Sequence, residues 1–145
     1  MFGGAFDEEF AEPTTAFFSQ VGEGRFLLVS SALVRRELDA APEEVRRLFE
    51  RMLPGTELVE ITAEALTVQQ AYLEAGIVSA RHADDALHVA IAAVSRCSLV
   101  VSWNFSHTVH FDKIRLYNRV NTEMRLPPIG IHSPREVIEY EDQDL

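Results

Sequence analysis

Residues 83–107 read ADDALHVAIAAVSRCSLVVSWNFSH, and this stretch decides the fold class. It opens as an alanine-rich helix entered through two adjacent aspartates, Asp84 and Asp85. Leu99-Val100-Val101 follows, a short apolar run with β-branched character that reads as a buried strand. Ser102-Trp103-Asn104-Phe105 is then a polar and aromatic turn at the strand's carboxyl end. In open α/β sheets, ligands bind in the crevice at the carboxyl ends of the strands. Carboxylates at a helix start and a polar turn after the next strand can therefore share one edge of the sheet. That edge is the expected site.

Upstream, the same alternation recurs. Gly3-Gly4 leads into an acidic segment, Asp7-Glu8-Glu9, whose charges suit the positive end of a helix dipole. Phe10, Phe17, Phe18 and Val21 recur at near-helical spacing, with Pro13 as a break or helix start. Gly22-Glu23-Gly24 stops that helix. Arg25 to Val29 reads as a strand, near-continuously apolar as in a parallel sheet. Ser30 or Ser31 is placed to cap the next helix, which carries Leu33, Val34, Glu37 and Leu38. Pro42 opens another helix, with a stripe of Val45, Leu48, Phe49 and Met52. Glu57 to Ile61 alternates like a half-exposed strand. Thr62 is placed to cap a helix through Leu73 that Gly76 closes.

Downstream, Ile114, Tyr117, Val120 and Met124 mark a helix from about Asp112, broken by Pro127-Pro128. Ile129 to Ile131 reads as a short strand. Ser133-Pro134 starts a last short helix, and the acidic tail from Glu139 to Leu145 is expected to fray. The order α, β, α, α, β, α, α, β, α, β, α predicts an α/β domain with a mainly parallel sheet and helices on both faces. There is no internal repeat, low-complexity tract or linker, so residues 1–145 read as one domain.

The chain has 145 residues, 13 basic against 23 acidic, and a net charge of -10. That balance argues against holding nucleic acid through phosphate contacts alone. It leaves room for a nuclease, because a bound divalent cation supplies positive charge locally. It also suits docking to a basic partner. The single cysteine, Cys97, rules out an intrachain disulfide and reads as a buried, inert thiol late in a helix. No apolar run approaches the roughly twenty residues of a membrane span. The start of the chain lacks the basic and apolar regions of a secretory signal. A cytoplasmic protein is the expectation.

No Walker loop, GxGxxG, GxSxG, HExxH or CxxC pair is present. What remains is a set of acids on helices that flank strands. Glu37 lies in the helix after the first visible strand. Asp84 and Asp85 start the helix before the third strand, and Asn104 follows that strand. Any one of them alone reads as a solvated surface group. Together they form the kind of oxygen-donor set that a hard cation takes, and such an ion polarises a phosphoryl oxygen and generates hydroxide. Periodicity does not choose between Asp84 and Asp85, because their helix is apolar on more than one face.

Several stretches, in order, resemble the PIN-domain family, which includes VapC-like ribonuclease toxins. They are Ser31-Ala32-Leu33-Val34-Arg35-Arg36-Glu37-Leu38, Ala83-Asp84-Asp85-Ala86-Leu87-His88-Val89-Ala90 and Leu99-Val100-Val101-Ser102-Trp103-Asn104-Phe105-Ser106-His107. The end of the chain, Tyr117 to Asn121 with Ile131 to Ile138, resembles a subgroup of that family. The resemblance covers nearly the whole chain. It implies a three-layer α/β/α fold around a parallel sheet, a site for Mg²⁺ or Mn²⁺, and cleavage of RNA phosphodiesters. It implies catalytic and metal-binding roles for Glu37, Asp85 and Asn104, with Asp84 as an extra neighbour and His107 beside the site or on the surface. It implies RNA as substrate and a small antitoxin-like protein as partner, with a homodimer as a further expectation.

The chain departs from the family at its start. The family's first acid lies in an Asp-Thr or Asp-Ser pair ending a central first strand. That strand and its aspartate are expected to precede Met1 and are missing from this sequence. The neighbours Phe26 to Val29 and Leu99 to Val101 would then close the gap or find another strand. Asp7 is an accessory candidate for the missing carboxylate, against its reading as a dipole-complementing residue. Three functions stay open: a metal-dependent endoribonuclease of the toxin–antitoxin type, a PIN-like protein that only binds an antitoxin or RNA, and an unrelated α/β protein.

Overall fold

Six longer α-helices, a helical turn at residues 134–137 and four short strands follow one another along the described residues. The computed structural model describes residues 11–23, 26–102 and 107–137, excluding the side chains of residues 13, 22 and 107–111. The elements are α1 (Ala11–Gly22), β1 (Leu28–Ser31), α2 (Ala32–Leu38), α3 (Glu43–Met52), β2 (Thr56–Val59), α4 (Ala63–Glu74), α5 (Ala83–Val94), β3 (Leu99–Val101), α6 (His107–Glu123) and β4 (Gly130–His132). The architecture is mixed α/β, with short parallel strands in two small sheets. β1 pairs with β2 in parallel, Leu28 opposite Thr56 through Ser31 opposite Val59. β3 pairs with β4. Gly130 N donates to Ser98 O and Ser102 N donates to His132 O, so that pairing also advances in one direction along both strands.

The described residues fall into two compact units. The first holds residues up to 59 together with 101–102 and 132–137, and the second holds 60–100 and 107–131. In the first unit, Ser31 ends β1 and caps α2, its Oγ accepting from Val34 N at 3.2 Å. A serine suits both jobs because its hydroxyl satisfies an N–H that the helix leaves without a carbonyl. The α2–α3 turn is held by Arg46, whose guanidinium donates to Ala41 O at 2.8 Å. Pro42 then precedes α3, where Val45 and Phe49 face inward on one stripe. They pack with Phe17, Phe18 and Val137. The Phe17 ring lies tilted against Phe18 and Phe26, with centroids 5.6 and 5.3 Å away.

In the second unit, Thr62 caps α4 by accepting from Ala65 N at 3.1 Å. Buried Val68 and Tyr72 of α4 pack with Ala86, Val89 and Ala90 of α5 and with Tyr117 and Val120 of α6. Ala86 and Ala90 lie one turn apart, so α5 presents small side chains on that face. Gln69 Nε2 donates to Ala83 O at 2.9 Å and ties α4 to the start of α5. The Asn118 amide pairs both backbone groups of Ile129, donating to its carbonyl at 2.9 Å and accepting from its N–H at 2.8 Å. That side chain stands in for a neighbouring strand and fixes the approach to β4.

Several expectations shift. The first visible strand is Leu28–Ser31, not Arg25 to Val29. Its limits follow the backbone partners in β2, so buried Ser30 and Ser31 join the strand while Leu27 is 80% exposed. The second begins at Thr56 and stops at Val59 for the same reason. β3 keeps the predicted limits but is not fully buried, with Leu99 exposed and Val100 and Val101 half-buried. The final long helix begins at His107, earlier than Asp112. Cys97 lies beyond the end of α5 and is half-buried, because the helix closes at Ser95. Where one mainly parallel sheet was expected, no described strand joins the two pairs. The segments expected to close the gap do not pair with each other among the described residues: β1 pairs with β2 and β3 with β4. The expected frayed tail lies outside the described residues.

Candidate functional site

Asp85 stands in the first turn of α5, and its side chain is 33% exposed. The N-terminal turn suits a carboxylate, because the helix dipole is positive there. Its one recorded ionic neighbour among the described residues is His82, whose Nδ1 lies 3.7 Å from Oδ2. That distance is beyond a hydrogen bond. Asp84 shares the turn but is exposed. The two aspartates that periodicity left equivalent therefore differ in environment.

Glu37 occupies the last turn of α2 and is exposed. A carboxylate there lies against the helix dipole, so local helix stability does not account for its position. Glu37 belongs to the first unit and Asp85 to the second. Ser102 follows β3 at its carboxyl end, and its N–H donates to His132 O at 2.9 Å. The candidates Asn104 and Asp7 lie outside the described residues, as does the side chain of His107. The expected donors are carboxylate and amide oxygens, the chemistry that Mg²⁺ or Mn²⁺ favours. Among the described residues, no three His, Cys, Asp or Glu side chains come together as a metal-holding group.

The structure adds polar groups that sequence reading did not assign to a site. Tyr72 on α4 and Tyr117 on α6 meet edge to face, with centroids 4.8 Å apart and planes at 82°. The Tyr72 hydroxyl donates to Asn121 Oδ1 in a fully buried bond. Burial pushes the Tyr72 hydroxyl well above its usual range, an effect partly offset by the bond to Asn121. Burial, with a smaller contribution from the negative charge of Asp85, pushes the Tyr117 hydroxyl up to about 12. The available signal was an asparagine one turn from a tyrosine on an otherwise apolar helical face. A second group, His132 Nδ1 and Glu136 Oε2, meets at 3.1 Å at the carboxyl end of β4. Its four-residue spacing across Ser133-Pro134 was visible in the sequence.

No family model, curated protein or solved structure matches the chain.

Proposed function

We propose that this chain is a PIN-like, divalent-metal-dependent endoribonuclease of the toxin–antitoxin type, with an antitoxin-like protein as its partner. The single observation that carries the reading is Asp85. It is a carboxylate two-thirds covered by the protein at the start of α5, and its ionic neighbour among the described residues is a histidine at 3.7 Å. A half-buried carboxylate supplies the oxygen that a hard cation takes. The resemblance implies Glu37 and Asn104 as further oxygen donors, and they are proposed on that ground alone. A bound Mg²⁺ or Mn²⁺ would polarise the phosphoryl oxygen and lower the pKa of an attacking water. The residues would bind and orient the phosphodiester, and the net charge of -10 makes a local cation the means of tolerating RNA there. The mixed α/β architecture with parallel strand pairs supports a three-layer PIN-like fold as part of the same proposal.

A second reading from the same resemblance is a PIN-like protein that binds an antitoxin or RNA without cutting, and the observation beside it is that no three metal-ligating side chains gather among the described residues. Incubating purified protein with Mn²⁺ and structured RNA, beside Asp85→Ala and Glu37→Ala, separates the two. Cleavage lost in both variants supports the ribonuclease. Equal background turnover in all three proteins removes it and leaves binding as the reading.

A further inference from the structure

We draw no further inference here: the strongest candidate, the open, partly apolar groove along α4 lined by Leu66, Ala71 and Met124, is a surface for which nothing in the structure shows what covers it.

Discussion

Tyr117 concentrates the tension between core and charge in this protein. Its ring is completely buried among apolar side chains, yet its hydroxyl feels the carboxylate of Asp85. Ionising such a group in the folded state is costly, because burial disfavours the phenolate and a neighbouring anion disfavours it further. The unfolded chain releases this proton near 10.0, whereas the folded chain holds it up to about 12. Across that window the folded state binds more protons than the unfolded state. Stability therefore is fully present below pH 10 and falls as pH rises towards 12. Tyr117→Phe is expected to flatten this alkaline loss in urea unfolding followed from about pH 9 to 12. Tyr72, raised by burial as well, leaves a residual slope. An alkaline slope identical in the two proteins would show that Tyr117 ionises equally in both states.

Among the elements, the three long helices of the second unit close in the same way. After α4, Gly76 N donates to Leu73 O and Ile77 N to Tyr72 O; after α5, Arg96 N to Ala93 O and Cys97 N to Ala92 O; after α6, Arg125 N to Thr122 O and Leu126 N to Asn121 O. Gly76, Arg96 and Arg125 all take left-handed backbone, at φ 74, 60 and 60. This is the paired 6→1 and 5→2 closure that satisfies carbonyls at a helix end. Gly76 takes that conformation without strain, and a Cβ there would meet nothing within 4 Å. Gly76→Ala is therefore expected to destabilise by about 1 kcal/mol through backbone conformation alone. Arg96→Gly is expected to move the other way, by about 0.5–1 kcal/mol. Urea midpoints of the two variants check the opposite signs, and shifts of the same sign would contradict this assignment of strain. The sequence made only one of these closures readable. Gly76 carries a residue-type signal for a left-handed position, whereas nothing about an arginine marks Arg96 or Arg125.

For the molecule as a whole, the helix–strand alternation was legible because short apolar runs and amphipathic stripes are local patterns. Ser31 and Thr62 were readable as caps because their hydroxyls act within three residues. Strand limits were less legible, since Leu27 is as apolar as Leu28 and only the partner strand excludes it. The division of the strands into two pairs was not legible at all, because pairing depends on residues far apart in sequence. The same holds for the Tyr72–Asn121 bond, whose partners are 49 residues apart. Of the candidate site, the acids were named one by one, but composition and spacing could not distinguish Asp84 from Asp85. Their different exposures arise from how α5 turns against its neighbours.

Those exposures give the ribonuclease proposal its sharpest comparison. Divalent-dependent cleavage of a structured RNA can be followed under single-turnover conditions for the wild type, Asp84→Ala and Asp85→Ala. The expected result is cleavage by the wild type that vanishes when Mn²⁺ is chelated, falls to background in Asp85→Ala and stays within about threefold in the exposed Asp84→Ala. Cleavage at the same rate in the wild type and Asp85→Ala, or none in any of the three with Mn²⁺ present, would contradict it.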